Sequence, residues 1–207
     1  ALTFVSPPDF EVPTDTGADN VYDVVVQASD GTLTDTQAIA VTVTNVNETP
    51  VNTVPAPQST SEDTVLVFSS ANGNPISIAD ADAGSNPLRV ALTGTSGTLT
   101  LAATLGLSFT VGDGTADATM TFTGTTTDIT AALNGLSFLP AAGFNGSGGL
   151  EIATSDQGNT GSGGALTDTD NVAIMVTPVN NAPVLDASGT MTLTTITEDE
   201  TNNAGDL

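Results

Sequence analysis

The sequence predicts an all-β protein made of tandem Greek-key β-sandwich repeats, one complete and two partial. Three observations carry that expectation. Short runs rich in Thr and Val recur at near-regular spacing, separated by Gly, Asn, Asp and Pro. The 207 residues are 38% apolar, enough to fill a core although only 4% are aromatic. A stretch beginning at Leu33 returns 133 positions later with almost the same pattern.

Strands are expected over 21–28, 38–46, 65–68, 76–79, 88–93, 99–102, 107–111, 118–122, 136–139, 150–154 and 172–177. One helical turn interrupts them. Asp128 can cap it, Ile129, Ala132 and Leu133 give it an apolar side, and Asn134-Gly135 ends it, so it reads as a crossover on the sandwich edge. Asp113-Gly114 reads as a hairpin turn. The glycine-rich run from Gly158 to Gly164 lacks the spacing and following helix of a phosphate-binding loop and reads as a flexible insertion. Tyr22 alternates with apolar neighbours and is expected to pack in the sandwich.

The repeat sets the domain boundaries. LTDTQAIAVTVTNVNETPV from Leu33 becomes LTDTDNVAIMVTPVNNAPV from Leu166, in register to Val51 and Val184. Upstream, QASDG around Asp30 matches ATSDQG around Asp156, with about seven extra residues in the second copy. Downstream, STSEDT at Glu62 and Asp63 matches TITEDET at Glu198 and Asp199. Residues 1–46 therefore read as the C-terminal half of one repeat, 47–183 as a complete repeat and 184–207 as the start of a third, as if cut from a longer array.

Twenty-four acidic residues face a single base, Arg89, giving a formal net charge of −23. Nucleic acid, anionic membranes and phosphate recognition by basic side chains are excluded as partners. The absence of His and Cys removes zinc sites, thiol nucleophiles and imidazole bases. Paired carboxylates could hydrolyse glycosides, but a sugar cleft wants aromatic platforms, and the chain has no Trp and one Tyr, so no enzyme is expected. No apolar run approaches the roughly 20 residues of a membrane span, and no basic-then-apolar start suggests a signal peptide. Asp15, Asp19, Asp23, Asp35, Asp117 and Asp206 read as solvated charges.

The remaining acids have a pattern. Asp80 and Asp82 in IADADAG are two apart at a strand end, where an extended backbone would point both to one side. Asn86 follows, Asp156 ends another strand, and Asn47 and Glu48 lie in the link. Converging at a repeat boundary, such oxygens would suit Ca²⁺, which accepts six to eight hard oxygen ligands, better than the tighter octahedron of Mg²⁺.

In order along the chain, FEVP after Pro8-Asp9, ASDG at Asp30, NVNETP at the link and ISIADADAGSN beyond it resemble the acidic triplet, strand-end Asp, linker and Asp-x-Asp motifs of cadherin repeats. The phrasing PDFEVPTDTGADNVYDVVVQASDG is similar to the cadherin-like tandem repeats of very large bacterial surface adhesins. That resemblance implies cadherin- or immunoglobulin-like sandwiches, with Ca²⁺ between consecutive repeats stiffening a rod. It places preceding-domain ligands on Asp9 and Glu11, linker ligands on Asn47 and Glu48, and following-domain ligands on Asp80, Asp82, Asn86 and Asp156. Asp30 would serve an earlier junction and Glu62 the next one. There PAAGFNG lacks a carboxylate and Asn181 replaces Glu48, so a weak or vacant site is expected over 179–183.

The expected function is a calcium-stiffened spacer or adhesion repeat, secreted or on the cell surface. Its partners would be neighbouring repeats of the same chain, and cell-surface or matrix polysaccharide or another adhesin. The alternatives are a polysaccharide- or protein-binding module displaying the 158–164 loop, and a structural filament or surface-layer subunit.

Overall fold

The computed structural model describes residues 3–183; the expected third unit, with Glu198, Asp199 and Asp206, lies outside the described residues. In chain order the strands begin with β1 (Val21–Ser29), β2 (Thr34–Thr42), β3 (Val51–Thr53), β4 (Gln58–Ser61), β5 (Leu66–Phe68) and β6 (Ser77–Ala79). They continue with β7 (Leu88–Thr95), β8 (Gly97–Thr100), β9 (Ser108–Val111) and β10 (Thr119–Gly124). Helix α1 (Thr126–Leu133) precedes β11 (Leu136–Pro140), β12 (Gly146–Ser155) and β13 (Thr167–Thr177).

Strands β3 to β13 build a β-sandwich, within the span expected to be a complete repeat. One layer is a six-stranded sheet in the order β4-β13-β12-β7-β10-β9, with β4 pairing parallel to β13, Ile174 opposite Gln58. The three-stranded sheet β5-β11-β8 and the ribbon β3-β6 complete the fold. Period-two alternation builds the core: Leu88, Val90 and Leu92 on β7, Leu150 and Ile152 on β12, and Val172, Ile174 and Val176 on β13 are all buried. Phe68, Phe122 and Phe138 fill the interior and are fully inaccessible. Burying a side chain of this size is worth roughly 1.5–3 kcal/mol. At Gly97 a Cβ would lie 2.5 Å from the Leu139 carbonyl oxygen and the Phe138 ring, so only glycine lets β8 pass so close to β11.

Helix α1 carries the chain from β10 in the larger sheet to β11 in the smaller one, which makes it the expected crossover. It is not confined to an edge: Ile129, Ala132 and Leu133 are fully buried in the core. The cap is Thr125 rather than Asp128. The Thr125 hydroxyl accepts the Asp128 N–H at 3.2 Å and donates to Asp128 Oδ2 at 2.7 Å, so Asp128 occupies the first turn, where its charge suits the helix dipole.

Buried Asn52 fastens β3 to the main sheet. Its N–H donates to Asp168 Oδ2 at 2.7 Å, and its Oδ1 accepts the hydroxyl of fully buried Thr154 at 2.6 Å. Strands β3 and β4 were not expected, because Val51–Thr53 and Gln58–Ser61 are short and mostly polar, with no run of alternating apolar residues. Strand β2 starts four residues before the expected 38, since Ser29 and Thr34 already face each other across a tight turn.

Residues 21–42 form a separate antiparallel hairpin, β1-β2, with no sheet facing it among the described residues. Val25 and Val26 are exposed in consequence. Tyr22 packs edge-on against Phe4 at 5.1 Å and its hydroxyl lies 3.2 Å from Thr14 Oγ1, instead of entering a sandwich core. No described helix is long and apolar enough to cross a membrane.

Candidate metal centre

Strand β6 stops at Ala79, so Asp80 and Asp82 lie in a turn and not on the extended backbone that the Asp-x-Asp spacing suggested. Asp80 makes that turn itself. Its Oδ1 accepts the N–H groups of Asp82 at 3.0 Å and Ala83 at 2.9 Å. This leaves Asp80 Oδ2 buried with no hydrogen-bond partner. The Asn86 N–H closes the next bend on the Ala83 carbonyl at 2.7 Å; the Asn86 side chain makes no described hydrogen bond.

Asp82 holds the linker. It is 9% exposed, and its Oδ2 accepts the Glu48 N–H at 2.6 Å while its Oδ1 accepts the Asn45 amide at 3.0 Å. The link thereby turns the Glu48 side chain toward Asp82. From the N-terminal segment, Asp9 accepts the Glu11 and Val12 N–H groups at 3.0 Å each and forms the loop that presents Glu11 to the same place. Carboxylate oxygens of Glu11, Glu48 and Asp82 lie within 4.8 Å of one another.

Asp156 directly follows β12 and is almost completely buried. Its Oδ1 accepts the Gly158 and Leu166 N–H groups at 2.8 Å each, and its Oδ2 accepts the Asn47 amide at 2.6 Å. The Asn47 amide also donates to the Gly164 carbonyl at 2.8 Å, and Asn47 Oδ1 is left buried without a partner. Asp30 repeats this arrangement in the first unit. It accepts the Thr32 and Leu33 N–H groups, and in both copies the Asp N–H returns to the matching Leu carbonyl at 3.3 Å.

The electrostatics follow from this crowding. Loss of water raises the Glu11 carboxyl, and a proton-sharing contact with Asp82 adds to the rise. The Glu48 carboxyl is raised for the same reasons in the same order. Burial also pushes Asp80 up, helped by the charges of Asp156 and Asp82 against the opposing N–H bonds. Burial acts upward on Asp82 too, but the Glu48 N–H and the Asn45 amide outweigh it and hold that carboxyl below its ordinary value. The only side-chain cation of the chain, Arg89, lies exposed on β7. Compensation must therefore come from protons or from a cation outside the protein.

A hard divalent ion meets that requirement. The donor set is all oxygen, three carboxylates converge, and two adjoining side-chain oxygens, Asp80 Oδ2 and Asn47 Oδ1, are buried and unpartnered. Asn45 was missed by sequence reading. It carries a further buried unpartnered oxygen, and only its contact with Asp82 reveals its place. The 158–164 run also differs from expectation: it is not a free excursion but is bonded to the linker, Asn47 N–H to the Ser162 carbonyl at 2.9 Å and Ser162 N–H to the Asn45 carbonyl at 3.2 Å.

At the far end of the sandwich, Glu62 is 7% exposed and both its carboxylate oxygens are occupied. Oε1 accepts the Asn181 amide at 3.0 Å and Oε2 the Asn145 amide at 3.4 Å.

No family model matches the chain, and no curated protein matches it. Among solved structures it is similar to the extracellular cadherin domains 1–5 of protocadherin gamma B2, at 16% identity and a TM-score of 0.35, over 81% of this chain and 27% of that one. It is also similar to domains 4 and 5 of the S-layer protein SbsC, at 14% identity and a TM-score of 0.24, over 75% of this chain and 59% of that one.

Proposed function

We propose that the chain is a calcium-stiffened spacer of an extracellular adhesin-like protein, with no catalytic role, in which Ca²⁺ joins the N-terminal segment, the linker and the complete sandwich at one point. The observation that carries this reading is the pair of buried, unpartnered oxygens on Asp80 and Asn47 beside the convergent carboxylates of Glu11, Glu48 and Asp82, in a chain whose one side-chain cation, Arg89, is exposed on β7. Glu11 belongs to the N-terminal segment, Asn47 and Glu48 to the linker, and Asp80, Asp82 and Asp156 to the sandwich. An ion held by all three would supply the missing positive charge and cross-link them. Asp9 acts through its turn on Glu11, and Asn86 through its turn on the 80–83 loop.

Without the ion, the carboxylates repel and the linker is held by hydrogen bonds alone. With it, stability rises by mass action, by about 2.7 kcal/mol at a hundred times the dissociation constant. Thermal unfolding in millimolar Ca²⁺ against chelator tests the reading, with calorimetric titration giving the stoichiometry and small-angle scattering the extension. A raised midpoint, saturable binding and a straighter particle are expected. An identical midpoint and no heat of binding would remove calcium from the account.

A further inference from the structure

The loop that closes β12 onto β13 is seven residues longer than the equivalent turn of the first hairpin. Both turns are clasped at the base by the same bonds, Asp30 with Leu33 and Asp156 with Leu166. The extra residues do not project into solvent; they lie along the linker. Val46 and Ser162 form a parallel bridge, flanked by the two backbone bonds that tie Ser162 to Asn45 and Asn47.

Each remaining polar side chain of the loop is bonded inward. Gln157 and Asn159 both donate their amides to the Pro87 carbonyl at 2.7 Å, which fixes the loop to the start of β7. The Thr160 hydroxyl donates to the Asp82 carbonyl at 2.9 Å, and the Gly164 carbonyl accepts the Asn47 amide. Gly161 marks the closest approach. Its φ is +81°, and a Cβ there would collide with Asn47 N and the Val46 carbonyl carbon. A loop selected only for slack has no need of such contact.

We infer that residues 157–165 are a strap that fastens the linker to the complete sandwich in the metal-free protein and presets Asn47 and Asp82 for the cation; the second half of that statement rests on the calcium reading above. The strap acts on the backbone that carries the ligands and touches no ion itself, so Thr160 and Gly161 are positioning residues. It also makes the junction asymmetric. The linker is already fastened to the sandwich, whereas Glu11 arrives from a segment that shares no hydrogen bond with the strap among the described residues.

Two measurements separate the parts. Amide hydrogen exchange of the wild-type protein in chelator reads the strap alone: the Asn47 and Ser162 N–H groups should be protected on the order of a hundredfold over unstructured peptide. Gly161→Ala should abolish that protection while the amides of Leu92 and Ile152 keep theirs. Calcium titration then reads the positioning. Thr160→Val, which keeps the shape and removes the hydroxyl, should weaken binding by roughly five- to tenfold, and Thr160→Ser should restore it. Unprotected Asn47 and Ser162 amides in the wild type would overturn the strap whatever calcium does. Wild-type calcium affinity in both T160V and G161A would overturn the positioning. Absence of calcium binding by the wild type would remove the functional reading and the positioning with it, and leave the strap to be decided by exchange.

Discussion

The two ends of the complete sandwich handle a buried carboxylate in opposite ways. At the first junction Glu11, Glu48 and Asp82 crowd together and Asp80 keeps an unpartnered oxygen. At the second, Glu62 is as withdrawn from water as Asp82, yet both its oxygens accept amide donors, from Asn181 and Asn145. The internal repeat aligns Asn181 with Glu48, and where the first unit has PDFE the second has PAAGFNG, with Asn145 after Phe144 as Glu11 follows Phe10. Two acid-to-amide replacements therefore turn a mutually repelling cluster into a closed hydrogen-bonded one. A buried charge needs partners; the sequence supplies them internally at one end and, on the proposed reading, leaves them to an external cation at the other.

The sharpest way to break this contrast is Asp82→Ala. Calcium-dependent stabilisation should vanish in calorimetry. In chelator the variant should also lose about 1–3 kcal/mol, because the Glu48 N–H and the Asn45 amide lose their acceptor. A variant that keeps the full calcium response would show that Asp82 organises the linker and binds nothing.

Next in size is the conversion of one end into the other. Asn145→Glu with Asn181→Glu should destabilise the metal-free protein by about 1–3 kcal/mol, since Glu62 loses both donors and gains like charges. The same double variant should bind an additional equivalent of Ca²⁺ by titration. A smaller effect is expected from Asn181→Ala alone, about 1 kcal/mol with no new calcium response. If N181A proves neutral in chelator melts, the amide bonds to Glu62 are incidental.

The smallest effect is the pH dependence, and its sign is distinctive. Glu11, Glu48 and Asp80 take up protons more readily folded than unfolded, so the metal-free protein should gain stability as pH falls from neutral toward about 4.5, the ordinary glutamate value. Asp82, Asp15 and Asp30 are held below the ordinary aspartate value of 3.8; their contribution is present above that pH and is lost as pH falls through their lower folded values. With Ca²⁺ present the neutral-to-acid trend should reverse, because protons compete with the ion. Melting curves at several pH values, with and without chelator, check both signs; parallel trends would contradict the cluster.

Much of this was legible in the residues. The alternation of Leu88, Val90 and Leu92, or of Val172, Ile174 and Val176, marks strands with one buried face, and the structure buries those side chains. The repeat matched Asp30 with Asp156 as strand-end residues, and both make the same bond to the Leu beyond their turn, Leu33 and Leu166. What escaped depends on backbone rather than side-chain pattern. Gln58–Ser61 is a strand because β13 offers it an edge, and nothing in its own polarity shows this. Residues 80–82 bend because one Asp80 oxygen captures two N–H groups, which the Asp-x-Asp spacing does not reveal. Composition made the 158–164 run look slack, whereas its glycines permit close contact with Val46 and Asn47. Tyr22 sits against Phe4 because the face expected to receive it has no opposing sheet among the described residues.

The Asp–Leu clasp has a practical corollary. Because the same two bonds join the Asp and the Leu, Leu N–H to the carboxylate and Asp N–H to the Leu carbonyl, whether two residues lie between them or nine, the length of that turn is uncoupled from the strands it joins. The short Asp30–Leu33 turn is thus a natural grafting point. A foreign peptide inserted there should be displayed without disturbing the register of its hairpin, in a scaffold free of thiols and carrying enough negative charge to stay dispersed.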